Sequence, residues 1–341
     1  MQIHDLLNEF PRTRLMEQPT PIQRLDRLEE ALGDQRNGVS IWAKRDDLMA
    51  LGGGGNKLRK LEFLIAQAKS QGCDTVIAIG GVQSNFARLA AAACAKTGLG
   101  CELVLAQMVP RDSEIYQRNG NVLLDQLLGA HVHVLARGED PIAFATRRAD
   151  EIAASGSKAF VATLGGSTPV GCLGYADCAF EIAMQSAELG IEFDQIVIPN
   201  GSGGMHAGLA AGMALTGSSP SRVKAFTVLS PVETALVGTA EKVNAVLELV
   251  SSETRLAPAD LTIHGSQLGA GYGMPTPAML EAVRTVGRSE GLFLDPVYSG
   301  KAFAGLLADI RSGAIPPRAN VLFIMTGGVP GLYAYQDVFR E

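Results

Sequence analysis

Four glycines in a row, Gly52 to Gly55, lead directly into Asn56 and Lys57 within the segment KRDDLMALGGGGNKLRKLE. A backbone without side chains allows close approach, and a lysine at the end of such a loop can turn inward as an amine nucleophile or base. Taken alone, the same residues also read as a flexible link before a solvated lysine, so Lys57 acquires meaning from what accompanies it. A second segment, Gly80-Gly81-Val82-Gln83-Ser84-Asn85, joins the end of an apolar run to a helix start. Free backbone N–H groups and the helix dipole favour an anion there, and Ser84 and Asn85 add donors suited to a carboxylate. Plain N-capping by Ser84 is the alternative. A third segment, Asn200-Gly201-Ser202-Gly203-Gly204, again lies between an apolar run and a helix, and its successive backbone donors could cradle a phosphate. Its glycines fit no G-x-G-x-x-G register, which points to a mononucleotide or a phosphorylated cofactor rather than a dinucleotide.

Two further segments follow: Asp295-Pro296-Val297-Tyr298-Ser299-Gly300-Lys301, and Met325-Thr326-Gly327-Gly328 after the last apolar run. The loop tyrosine has a structural reading too, as a core aromatic capped by a turn. His131 and His133 share a face of a strand, but no third ligand is spaced to join them, so no metal site is expected.

The elements that must position these groups alternate along the chain. Strand-length apolar runs are expected at Ser40 to Lys44, Thr75 to Gly81, Gly100 to Leu105, Val132 to Leu135, Ala159 to Leu164, Asp194 to Pro199, Lys224 to Leu229 and Val321 to Met325. Helices are expected at Ser84 to Lys96, ended by Gly98, and at Gly120 to Leu128, Pro141 to Ala154 and His206 to Leu215. This is the grammar of an α/β protein with two doubly wound domains built on mainly parallel twisted sheets. A boundary is expected where GGSTPVGCLG, Gly165 to Gly174, breaks the periodicity. The first fifty residues hold too little for a domain and should pack on the later one. The expected division is residues 1–59 with 170–341 as the large domain and 60–169 as the small one, with the site in the cleft between them.

Composition bounds the function. A chain of 341 residues suits about two domains. A net charge of −6 gives no electrostatic footprint for a nucleic acid or an anionic membrane, and no apolar run reaches bilayer length. Five cysteines without CxxC spacing, and acids (Asp5, Glu9) where a leader peptide needs a basic start, point to a reducing, cytoplasmic setting.

In order and spacing, these segments resemble the pyridoxal-phosphate enzymes of the tryptophan synthase β-like fold, and within them the D-cysteine desulfhydrase and 1-aminocyclopropane-1-carboxylate (ACC) deaminase family. The likeness runs from Phe10-Pro11-Arg12 and Pro19-Thr20-Pro21 to Gly327-Gly328-Val329-Pro330, and GGNKLRKLE, GGVQSN and LDPVYSGKA are its specific motifs. The resemblance implies pyridoxal 5'-phosphate as cofactor, a small amino acid as substrate and a homodimer. It implies that Lys57 bonds the cofactor covalently, that Asn85 meets its 3-hydroxyl, that Gly201, Ser202, Gly203 and Gly204 hold its phosphate, and that Thr326 faces its ring nitrogen. It also implies that Ser84 and neighbouring amides hold the substrate carboxylate, that Tyr298 is an acid/base or nucleophile, and that Tyr272 is a second tyrosine of the site. Phe86 and Ser299 complete the implied substrate contacts.

The chemistry so implied is β-elimination. Lys57 must be neutral near pH 7 to take the Cα proton, so its pKa must fall well below the ordinary value of about 10.4. The ACC deaminases place Glu directly after the tyrosine, where this chain has Ser299, as in the desulfhydrases. Thiolate leaves readily, which favours a D-cysteine desulfhydrase giving pyruvate, ammonia and sulfide. Four departures from the family's pattern stand at the site: Phe86 for His or Gln, Leu89 for Gln, Met205 for Thr and Met325 for His. They keep open a cysteate sulfo-lyase or another β-substituted amino acid lyase, an ACC deaminase, and a pyridoxal-phosphate carrier or sensor without catalysis.

Overall fold

TVIAIGG is apolar toward both faces, as a strand covered by helices on two sides must be, and six of its seven residues are buried. The computed structural model describes residues 3–17 and 19–340; Met1 and Gln2, which head the amino-terminal segment considered above, lie outside the described residues. Numbered along the chain, the strands are β1 (Ile22–Arg24), β2 (Ser40–Lys44), β3 (Thr75–Gly81), β4 (Gly100–Ala106), β5 (His131–Val134), β6 (Ala159–Ala162), β7 (Gln195–Asn200), β8 (Val223–Thr227), β9 (Thr262–His264) and β10 (Asn320–Ile324).

They form two sheets. The smaller has the order β5-β4-β3-β6 and is parallel throughout, with Thr75 opposite both Gly100 and Ala159. The larger has the order β1-β2-β10-β7-β8-β9 and is parallel except at β1, which runs against β2. The amino-terminal strands thus join the later sheet, as expected, with Ser40 opposite Asn320. Alternate residues of β10 feed different cores: Val321 and Phe323 pack with Ile41 and Val197 on one face, Leu322 and Ile324 with Ile196 and Ile198 on the other. Each such burial contributes roughly 1.5–3 kcal/mol.

One expectation needs correction. The strand anticipated to Leu164 stops at Ala162, because Leu164–Gly166 is a tight turn with Gly165 at φ 65. The segment Gly165 to Gly174, where a boundary is expected, lies between β6 of the smaller sheet and β7 of the larger, and runs from that turn into a 21-residue helix, Pro169–Leu189. Thr168 caps it by accepting from the Gly171 amide at 3.2 Å, and Pro169 supplies the first turn. Its missing hydrophobic period comes from close packing: a Cβ on Gly174 would lie 2.2 Å from the Arg59 carbonyl oxygen. No described helix is long and apolar enough to cross a membrane.

Of the five segments singled out by sequence, three follow the carboxyl ends of β3, β7 and β10, where open parallel sheets bind ligands.

Candidate active site

The glycine run is required by geometry at its first residue. Gly52 has φ 61, and a Cβ there would meet the Ala92 Cβ at 2.4 Å. The loop can therefore lie flat on the helix Asn85–Thr97 and deliver Asn56 and Lys57 to the cleft at the start of the helix Leu58–Ser70. The Asn56 amide donates to the Thr326 carbonyl at 3.0 Å, which ties this loop to the segment after β10.

Lys57 Nζ donates to Asn56 Oδ1 at 3.0 Å and lies 5.8 Å from the centre of the Tyr298 ring. Burial pushes its pKa down to about 7, the positive charges of Lys60 and Arg88 act the same way, and Asp295 and Asp46 oppose them. Asn56 is itself held: its Nδ2 donates to the Tyr175 hydroxyl at 2.8 Å, and that hydroxyl donates to Asp46 at 3.0 Å. The amide oxygen is thereby left to face the lysine. Asp46 pairs with Arg59, Arg59 with Glu181 and Glu181 with Lys44, a buried network spanning β2, the Leu58 helix and the Pro169 helix.

Gly201, Ser202 and Gly203 line the cleft after β7, and Gly204 begins the helix Gly204–Leu215. Lys60, a residue that sequence reasoning passed over, reaches this loop; its Nζ donates to the Gly165 carbonyl at 3.0 Å and to Ser167 Oγ at 2.9 Å. A Cβ on Gly204 would come within 2.4 Å of Ser167 Oγ and 2.6 Å of Lys60 Nζ. Burial lowers the Lys60 pKa to about 8, and no carboxylate forms an ion pair with either lysine among the described residues. Asn200 Oδ1, at the same loop, is buried without a partner.

Ser84 caps the helix Asn85–Thr97, accepting from the Ala87 amide at 3.1 Å, and still lines the cleft. N-capping and an open helix start therefore coexist. Asn85 Oδ1 accepts from Asn121 Nδ2 at 3.1 Å, and Asn121 in turn holds the Gln83 carbonyl at 3.1 Å. Asn121, at the start of the helix Asn121–Leu127, was not legible as a site residue, since nothing in its own segment marks it.

On the opposite wall the hydroxyls of Tyr272 and Tyr298 meet at 2.5 Å. Burial raises both pKa values, so the pair keeps its protons. Asp295 fixes Tyr298 from below by accepting from the amides of Val297 (2.8 Å), Tyr298 (2.7 Å) and Ser299 (2.8 Å). Ser299 departs from the expected arrangement: it is buried, does not line the cleft, and donates its hydroxyl to Asp295 at 2.6 Å. Thr326, Phe86 and Met205 line the cleft with the others, whereas Leu89 and Met325 are buried outside its lining. Together with the solvent at its mouth, the cleft spans about 780 Å³ of empty space. The described residues contain no cluster of three metal-ligating side chains.

An amine of depressed basicity, a cationic cradle of backbone donors and a protonated tyrosine pair thus face one cleft. The family model for "Pyridoxal-phosphate dependent enzyme" matches residues 13–327. The chain is 39% identical to a D-cysteine desulfhydrase of Serratia proteamaculans, over 98% of this chain and 99% of that one. It is 38% identical to a D-cysteine desulfhydrase of Salmonella schwarzengrund over the same shares. Among solved structures it is similar to an ACC deaminase homologue, with TM-score 0.87 and 36% identity over 99% of this chain and 98% of the other. A pyridoxal 5'-phosphate-dependent aspartate racemase, at 16% identity and TM-score 0.65 over 96% and 95%, shares the fold.

Proposed function

The chain belongs to the pyridoxal-phosphate dependent enzymes, and from that premise we propose that it is a D-cysteine desulfhydrase, a carbon–sulfur lyase that releases pyruvate, ammonia and sulfide. The observation that carries this reading is Lys57, an amine lowered to about 7, set between a cationic anion cradle and a protonated tyrosine pair. The residues fit the cofactor. The cradle of Gly201 to Gly204 has room that a Cβ on Gly204 would fill, with Lys60 as the matching cation for a phosphate. Asn85, its oxygen occupied by Asn121, has its Nδ2 to offer to a ring oxygen, and Thr326 stands for the ring nitrogen.

When bound, the cofactor supplies the sink for the electron pair released at Cα. The protein's own groups do the rest. The Ser84 hydroxyl and the helix start behind it hold the substrate carboxylate, and Phe86 walls that side. Lys57, its basicity lowered by burial, takes the Cα proton. The tyrosine pair meets the departing sulfur with a proton.

Charge decides among the neighbouring substrates. Lys57 and Lys60 are the cationic side chains of the cleft lining, and both are assigned. Cysteate would bring a second anion with no cation to receive it, and ACC has no Cα proton for Lys57. The same reading includes residues 60–169 as the small domain, with 1–59 and 170–341 as the large one, a homodimer, and a cytoplasmic setting supported by five unpaired cysteines.

The test is a visible absorption spectrum of the purified protein before and after D-cysteine, L-cysteine, cysteate and ACC, with pyruvate assayed in each. A cofactor band that Lys57→Ala abolishes, and pyruvate from D-cysteine, is the expected result. A coloured protein that yields pyruvate from none of the four overturns the lyase and leaves the carrier.

A further inference from the structure

Asp295 opens the segment that holds Tyr298, and Lys301, which closes it, reaches in another direction. Lys301 lies in the first turn of the helix Ser299–Ser312 and is fully buried. That is a costly place for an amine: the positive end of the helix dipole lies beside it, and burial lowers its pKa to about 8. Among the described residues its partners are two carbonyls and no carboxylate. Nζ donates to Leu268 at 2.8 Å and to Gly271 at 3.0 Å.

Both carbonyls belong to the loop between β9 and the helix Pro277–Glu290, and Gly271 directly precedes Tyr272. On the other side of Tyr272, the Gly273 carbonyl accepts from the buried Tyr335 hydroxyl at 2.8 Å. Tyr272 thus stands between two glycines, Gly271 at φ 146 and Gly273 at φ 70, where the backbone itself restrains it least. Tyr298 needs no such help, since it starts a helix and Asp295 holds the amides around it. The contact of 2.5 Å between the two hydroxyls nevertheless requires both rings to be fixed, because a hydrogen bond weakens steeply as its geometry degrades.

We propose that Lys301 is a positioning residue: by holding the carbonyls of Leu268 and Gly271 it sets the Tyr272 hydroxyl against that of Tyr298, so that one seven-residue segment places both tyrosines. This rests on the lyase reading above, in which the pair gives a proton to the departing sulfur. Lys301 lies outside the cleft lining, so its effect on turnover passes through Tyr272.

Pyruvate formation from D-cysteine is measured for the wild-type holoenzyme, Lys301→Met, Tyr272→Phe and the double variant, and the cofactor band is recorded for each. Lys301→Met is expected to keep the band and to lose about 10²-fold in kcat, as a reacting group displaced by about 1 Å does. In the Tyr272→Phe background the same substitution should cost no more than about twofold, the non-additivity of residues that act through one another. Tyr335→Phe, which removes a hydroxyl from the Gly273 side and keeps the ring, is taken through the same cycle with the same expectation, so that the result does not hang on whether Lys301→Met folds. Acetylation of tyrosine hydroxyls by N-acetylimidazole, located by mass spectrometry, reads the loop without turnover. Tyr272 should react severalfold faster in both variants, with exposed Tyr333 unchanged. Equal losses of kcat in the two backgrounds overturn the inference, as does acetylation of Tyr272 that neither variant moves. A wild-type protein that gives no pyruvate from D-cysteine overturns the lyase reading, whereas faster acetylation of Tyr272 in the same protein still supports Lys301 as the tether of its loop.

Discussion

Lys57 carries two opposed demands: it must be close enough to charge to be useful and dry enough to be neutral. Its amine, at about 7 in the folded protein against 10.5 unfolded, makes a signed prediction for the cofactor-free protein. Between those values the unfolded chain holds the extra proton, so stability rises with pH across the window from about 7 to 10.5. Lys57→Met should therefore raise the melting temperature more at pH 6 than at pH 9, and acylation of Lys57 by an amine reagent should accelerate through pH 7. Tyr298→Phe should keep the cofactor band but lose roughly 10²-fold or more in kcat, the usual worth of a positioned acid or base. Lys57 stood out in the sequence through its company, since the glycine run before it reads equally as a flexible link until the Gly80 to Asn85 and Asn200 to Gly204 segments are set beside it. Ser299 was misjudged because sequence shows a hydroxyl but not its partner, and Asp295, four residues earlier, already holds it. Lys60 was passed over because nothing in its own segment marks it; the absent Cβ of Gly204, 144 positions away, is what makes room for its amine.

At the scale of elements, the loop proposed as the phosphate cradle is placed by how closely two helices pack. Gly208 of the Gly204 helix sits against the Pro169 helix, and a Cβ there would lie 2.2 Å from the Cys172 carbonyl oxygen and 2.5 Å from the Tyr175 Cβ. Gly208→Ala should cost about 1–3 kcal/mol through overpacking, read as a lower thermal midpoint, and should weaken cofactor retention on dilution because the cradle moves with its helix. The central strands were readable from apolar runs buried on both faces, as in TVIAIGG. The three-residue edge strands Ile22–Arg24 and Thr262–His264 were not, since they are too short for a period and take their form from the neighbour they pair with. The Pro169 helix escaped notice for a related reason: its small residues, chosen for close contact, leave it without an amphipathic stripe.

Across the whole molecule, the buried charges of Lys44, Asp46, Arg59 and Glu181 lock the large sheet to the two helices that carry Arg59 and Glu181. Burial pushes the Glu181 carboxyl up, but Arg59 and Lys44 more than reverse this, so it stays below its ordinary range. The stability it contributes is present above the unfolded glutamate value and is lost as pH falls through the folded one. Glu181→Gln should cost about 3–5 kcal/mol at neutral pH, by leaving Lys44 and Arg59 short of a partner, and should flatten the acid side of a stability-against-pH curve from chemical denaturation. The order of strands in the large sheet has one more consequence, for how the protein is made. β3 to β6 are complete once residue 162 has been synthesised, but β2 lies between β1 and β10, and Ser40 waits for Asn320. On the ribosome, the Lys57 loop therefore exists for most of translation without the Thr326 carbonyl that anchors it, and a nascent chain stopped before β10 carries a folded small sheet, an open sheet edge and no place for a cofactor.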